Sequence, residues 1–280
     1  MRLTGSTRSG LGIGATLVAG LLAGGLVTGC GMLPAADPAS VARPQHRTTP
    51  GPRLYADVAE RMVAARTAEF VFSGNGGGET FSGSGAMRFT ENDAFAADVT
   101  LTMPQTGRVR AVLAPVDAYL ALPAAKGVPR SKSWVKVSGR PTTRVGRQLM
   151  LVVEQLRSAF DPAQSLGLLR SARRVQEIGP SMVESEPATR FRAHVDLRRA
   201  SRSAVGPARK QYRTMLAAGA TTLRYDIWVD ISGLPRRYSA DLPTAGGLFS
   251  VTGVFRSWGS RVKIARPDPK QIFDADKLKG

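Results

Sequence analysis

Between residues 70 and 265 the hydrophobic positions of this chain fall mostly at every second residue, and a few stretches break that rhythm with a helical spacing. Phe95, Ala97, Val99, Leu101 and Met103 alternate with Asp98, Thr100 and Thr102. Leu223, Tyr225, Ile227, Val229 and Ile231 alternate with Arg224, Asp226, Trp228 and Asp230. A period of two puts each apolar set on one face of a half-buried strand. The same pattern predicts strands opening at Phe70 and Phe72, over Phe81, Gly83, Gly85, Met87 and Phe89, over Val109, Ala111 and Leu113, and near 116–122 and 134–137. Further strands are expected at 175–178, 189–197, 237–242, 249–258 and 262–265. Such alternation marks antiparallel strands, because parallel ones read as unbroken apolar runs. Helical spacing links Leu54, Val58, Met62 and Ala65 behind Pro52, and Val145, Leu149, Val152, Val153, Leu156 and Phe160. Asp161-Pro162 restarts a short helix carrying Leu166 and Leu169, with Asp as cap and Pro at its first position. A polar, basic segment at 198–213 leads into a helix with Tyr212, Met215 and Leu216. The order helix, meander, helices, meander predicts an α+β domain: one curved antiparallel sheet with helices covering one face.

The N-terminus follows a different rule. Leu11 to Val27 is free of charge and rich in Gly, Ala and Leu, behind Arg2 and Arg8. This is the layout of a secretory signal. It closes on Leu26-Val27-Thr28-Gly29-Cys30, where the sole cysteine of the chain follows a small residue. The sequence resembles a bacterial lipobox, which implies a signal over 1–29 removed just before an acylated Cys30. The alternative is an uncleaved membrane helix, for which about 17 apolar residues is marginal. Residues 30–52 carry Pro34, Pro38, Pro44, Pro50 and Pro52 without apolar periodicity, the composition of an extended tether. Residues 53–280 are then a single domain, expected outside the cytoplasm on the outer face of the membrane.

That location changes how the charge is read. Thirty-nine Lys and Arg against 21 Asp and Glu give +18, a balance that elsewhere would suggest nucleic acid. An exported chain meets anionic lipid or wall polymers instead, so nucleic acid is not an expected partner. Arg198, Arg199, Arg202, Arg209, Lys210 and Arg213 form the densest basic stretch and are the candidate contacts to such a surface. A solvated face is the plainer reading of the same residues. With one Cys committed to the lipobox, no internal disulfide and no Cys/His metal cluster is available. His46 lies in the tether and His194 on the polar side of a strand, and no G-x-S-x-G, Walker A or G-x-G-x-x-G motif occurs. Asp226 and Asp230 sit among basic residues, where ion pairing is the default. The expectation is a non-enzyme without cofactor or metal.

Lipobox, Pro-rich tether, first helix and the run Phe81-Ser82-Gly83-Ser84-Gly85-Ala86-Met87-Arg88-Phe89 resemble the LppX/LprA/LprF/LprG lipoproteins of actinobacteria. So do Tyr119-Leu120-Ala121-Leu122-Pro123 before Trp134-Val135-Lys136-Val137, Asp226-Ile227-Trp228-Val229-Asp230 with Gly233-Leu234-Pro235-Arg236-Arg237, and Phe255-Arg256-Ser257-Trp258-Gly259. The basic segment 198–213 has no match in that pattern. The resemblance implies a LolA-like half-barrel with an apolar cavity between sheet and helices, and binding or movement of envelope lipids.

The residues offer a separate hint. Gly83, Gly85, Ala97, Ala111, Ala193 and Gly253 are small residues at inward positions, and a packed interior needs something to fill the space they leave. Either a helix packs close or an apolar ligand does. Under the ligand reading the cavity is lined by Phe81, Gly83, Gly85, Met87, Phe95, Ala97, Val99, Leu101, Met103, Val109 and Ala111 from the first meander. Leu149, Val152, Val153 and Leu156 come from the helix, and Tyr225, Ile227 and Val229 from the second meander. The expected function is a monomeric, membrane-anchored carrier of an acyl-chain lipid or lipoglycan. The alternative is a module of the same fold that senses or binds an envelope protein or a polyanionic wall polymer.

Overall fold

A computed structural model describes residues 47–278 apart from 77, 90–94, 105–106, 122–126, 161 and 205. The signal, Cys30, His46 and most of the tether lie outside the described residues. The folded part begins a few residues before position 53. Strand β1 (Thr48–Thr49) joins the sheet, and helix α1 (Gly51–Ala65) starts with Pro52 in its first turn. A first meander follows: β2 (Thr67–Gly76), β3 (Glu79–Phe89), β4 (Phe95–Met103), β5 (Gly107–Leu113), β6 (Ala118–Ala121) and β7 (Trp134–Val137). Helices α2 (Arg144–Phe160) and α3 (Pro162–Ser171) lead to a second meander. It comprises β8 (Val175–Val183), β9 (Glu186–Asp196), β10 (Thr222–Asp230), β11 (Pro235–Thr244) and β12 (Gly247–Arg256). Helices α4 (Leu197–Ser203) and α5 (Gly206–Ala217) interrupt it. A short β13 (Ile272–Asp274) lies near the C-terminus.

All these strands form one sheet in the order β1-β8-β9-β10-β11-β12-β2-β3-β4-β5-β6-β7-β13. The sheet is curved and unclosed, and every pairing is antiparallel except β13 beside β7. The meanders meet where β12 pairs with β2. The chain must therefore cross from β7, near one edge, to β8, near the other, and α2 and α3 make that crossing.

Two expectations are corrected. Residues 262–265 form no strand: Val262 and Ile264 are half-buried between exposed Arg261 and Lys263, but the stretch joins no ladder. The edge place beside β7 goes to β13 instead. The basic segment is not a polar connection but a pair of packed helices. Asp196 caps α4 by accepting the Arg199 N–H at 3.0 Å, and Leu197, Ala200 and Tyr212 are buried. Its charges hid an apolar stripe too short to stand out as a period. The Tyr212 hydroxyl lies 3.0 Å from Ser171 Oγ, tying α5 to the end of α3.

Candidate functional site

Alternation sends one apolar row of each strand to the helix side, and there the buried residues fall into two clusters. The first joins Leu54, Val58 and Met62 of α1 and Leu166 and Leu169 of α3 to Val195, Leu223, Tyr225 and Ile227. The second joins Phe70, Phe72, Met87, Ala97, Val99 and Leu113 of the first meander to Val153 of α2. A chain of rings spans the space between them: Tyr225 on Tyr238, Tyr238 on Phe255, Phe255 on Trp258, at centroid distances of 5.4–6.3 Å. Such pairs add roughly 0.5–1.5 kcal/mol each beyond area burial. Desolvation pushes the Tyr238 hydroxyl up to about 12, so it stays protonated here.

The residues read from sequence as cavity lining divide between these environments. Tyr225, Ile227 and Val229 belong to the first cluster, where helices cover them. Met87, Phe95, Ala97, Val99, Ala111 and Val153 are buried within the second. Phe81, Gly83, Gly85, Leu101, Met103, Val109, Leu149, Val152 and Leu156 are only half-buried. Leu101 and Val109 sit opposite one another across β4 and β5. Phe81 stacks on Phe249 of β12 at 6.0 Å, and both rings are half-buried. This end of the inner face is thus apolar but incompletely roofed.

The helix that joins this half is held at its ends. The Asp276 carboxylate accepts hydrogen bonds from the Thr142 and Thr143 N–H groups at 3.0 and 3.1 Å, and these donors pull its carboxyl down to about 2. At the other end Arg157 donates to the carbonyls of Ala114 (2.6 Å) and Pro115 (3.2 Å), while burial lowers its own pKa. Between these clamps Leu149, Met150 and Leu156 pack on the second cluster without being buried, and Leu151 is 58% exposed.

The three inward glycines are filled by neither of the two fillers expected, whereas Ala97, Ala111 and Ala193 are buried in the clusters that the helices join. A Cβ at Gly83 would run into the Phe72 ring and the Thr100 carbonyl. At Gly85 it would lie 2.8 Å from Phe70 Cζ, and at Gly253 it would enter the Tyr238 ring. Each glycine faces its aromatic partner directly across the ladder. The rings lie over the bare backbone, a device known to rescue glycine in strands.

No family model matches the chain, and no curated protein matches it. Among solved structures the chain is similar to the lipoprotein LppX of Mycobacterium tuberculosis, at 14% identity, covering 76% of this chain and 99% of that one, with a TM-score of 0.47. It is similar to LprF of Mycobacterium bovis at 11% identity, covering 78% and 96%, with a TM-score of 0.48. It is also similar to Pseudomonas aeruginosa MucB in complex with MucA, at 14% identity, covering 72% and 55%, with a TM-score of 0.34. LppX and LprF are two of the lipoproteins that the sequence resemblance named.

Pairing registers put several features at one end of the sheet. Thr49 pairs with Val175, at the start of β8, which lies at the same end as the close of β9, the close of β11 and the start of β12. That end also holds the β2–β3 and β4–β5 turns. Strand β1 closes toward that end, at the edge of the sheet beside β8, and α1 begins there. Helices α4 and α5 leave β9 there, and the Ala245 N–H of the β11–β12 turn donates to Ala218 O beyond α5 at 3.0 Å. Arg198, Arg199, Arg202, Lys210 and Arg213 are exposed, and among the described residues none of them is in an ion pair. Arg209 differs: it is half-buried, and its Nε donates to Ala204 O at 2.6 Å, holding the end of α4.

On the outer face His194 is exposed opposite Arg224. Asp226 is 3% exposed and bonded to Arg190 and Arg192. Burial opposes its charge, but the hydrogen bonds from Arg192 and Arg190 prevail and lower its pKa. Asp230 is held by Arg236 at 2.8 Å. These carboxylates are structural ion pairs. Among the described residues no group of His, Cys, Asp and Glu could hold a metal, and no helix is long and apolar enough to cross a membrane.

Proposed function

We propose that the protein is an exported lipoprotein, anchored through acylated Cys30, that holds the acyl chains of an amphiphile against the inner face of β3, β4 and β5. The observation that carries this reading is a coincidence of place. The exposed cations of α4 and α5 and the half-buried Phe81, Leu101, Met103 and Val109 lie at one end of the sheet. Turned toward the bilayer, that end brings basic residues to anionic head groups, each adding on the order of 1 kcal/mol. It also brings apolar strands within reach of acyl chains. The acyl anchor and the basic helices together supply the two signals that stable attachment requires. Transfer is passive: chains leave the bilayer for the apolar face, and the head group stays at the open end.

Mass spectrometry of lipids co-purifying with the protein from its own host tests this. The expected result is an acyl-bearing species in near-stoichiometric amount, lost when Leu101 and Val109 are both changed to Asp. These positions are half-exposed, so the variant is expected to fold. Wild-type protein free of lipid overturns the reading and favours a module that binds an envelope protein. Equal lipid in wild type and variant overturns the assigned site.

A further inference from the structure

The outer face of the same sheet carries a second feature, on the side the acyl-binding reading does not use. Two abutting depressions of about 530 and 550 Å³ open over β12, β2, β3 and β4 and share Ser73, Ser82, Thr102 and Thr252. Together they make a trough along the strands from Val71 to Asn75, about 13 Å at 3.3 Å per residue. Its origin is in the side chains. The floor is mostly Ser and Thr, with Val71 and Val254 at one end, whereas the strands on either side bear long cationic and aromatic groups. On one side Arg110 stacks on Trp134 at 5.6 Å. On the other, Arg190 and Arg237 each stack on Trp228, at 4.8 and 5.0 Å. Two ridges of arginine on tryptophan thus flank a floor of hydroxyls.

Most of the floor hydroxyls are unengaged, the exceptions being Thr252, 3.5 Å from Ser239 Oγ, and Ser250, which donates to Asn75. Among the described residues Ser73, Ser82, Ser84, Thr100 and Thr102 make no side-chain hydrogen bond. The charges are uneven in a telling way. Arg110 pairs with Asp98, Arg190 and Arg192 with Asp226, and Arg224 with Asp241. Arg108 and Arg237, on opposite sides of the trough, have no carboxylate at ion-pair distance among the described residues. Arg108 lies opposite Thr102, and Arg237 opposite Val254, which lines the trough.

We propose that this trough binds an anionic glycan, a chain of sugar rings carrying carboxylates. Sugar hydroxyls both donate and accept, as do the serine and threonine hydroxyls that would meet them. Neutral bonds of that kind add little net affinity, so they choose the ligand rather than hold it. The charge-assisted bonds of Arg108 and Arg237 to carboxylates supply the strength. Strand alternation separates this face from the apolar one, so both ligands can be held at once.

Two of the three tryptophans, Trp134 and Trp228, stand on the ridges, so tryptophan fluorescence of the full chain in detergent reports occupancy. The probe is an oligogalacturonate, with maltoheptaose as its neutral counterpart. Saturable binding of the oligogalacturonate is expected, weakened about tenfold by R108Q and by R237Q. S82V with T102V, at exposed strand positions, is expected to weaken it as well, whereas R202Q with R213Q on α4 and α5 leaves it unchanged. The proposal is overturned if wild type does not bind, if maltoheptaose binds equally well, or if R202Q with R213Q costs as much as R108Q with R237Q. Lipid content measured on the same samples is expected to be the same in wild type, R108Q, R237Q and S82V with T102V, which separates a failure here from a failure of the acyl-binding reading.

Discussion

Tyr225 and Ile227 on β10, and Leu101 and Val109 on β4 and β5, are inward residues of equivalent standing in the strand pattern, yet their surroundings differ. The first pair shares a cluster with α1 and α3 and is lost to solvent, while the second pair stays half-exposed. Alternation therefore decides which way a side chain faces and not what covers it. Cover comes from the connections. The second meander is packed by α1, α3 and the inserted α4 and α5, whereas the first is joined by α2, clamped at its ends by Asp276 and Arg157.

That contrast has a measurable form. Ile227→Ala removes a fully buried side chain and is expected to cost about 4 kcal/mol in urea unfolding. Leu101→Ala removes a side chain that water already reaches, and about 1 kcal/mol is expected. Similar costs at the two sites would mean that both halves are solid core. A smaller effect concerns the clamp on α2. The Asp276 carboxyl is held at about 2 in the folded protein, against about 3.9 when unfolded. A depressed folded value means that the stabilisation is fully present above about pH 4 and is lost as the pH falls through about 2. Thermal melting between pH 5 and pH 2 is expected to show a steeper loss for wild type than for Asp276→Asn. Parallel curves would remove Asp276 from the account of how α2 is held.

Much of this was legible before any coordinates. Runs such as Phe95 to Met103 and Leu223 to Asp230 carry their facing in the alternation itself, and the antiparallel order of both meanders followed from it. The pairing of Asp226 with basic neighbours was equally readable, because Arg190 and Arg192 share the polar parity of their strand. What escaped depends on contacts between distant segments. Nothing local tells that Phe72 lies over Gly83, or Tyr238 over Gly253, since those fits depend on the register between strands. The α4 helix was masked by its arginines, and β13 is three residues that pair with β7, far away in sequence. The hydroxyl floor of the outer trough was visible as the polar half of each strand, but its flanking ridges needed Trp134 and Trp228 to be placed across the sheet.

The difference between the halves is tested most directly by photolabelling. A long-chain fatty acid bearing a diazirine on its acyl chain is bound to the full chain, activated, and its attachment sites are mapped by peptide mass spectrometry. Labels are expected on β3, β4, β5 and α2, near Phe81, Leu101, Val109 and Leu149. Labels concentrated on β9 and β10 around Tyr225 and Ile227, or on the outer face around Ser82 and Thr102, would contradict an acyl site on the open half of the inner face.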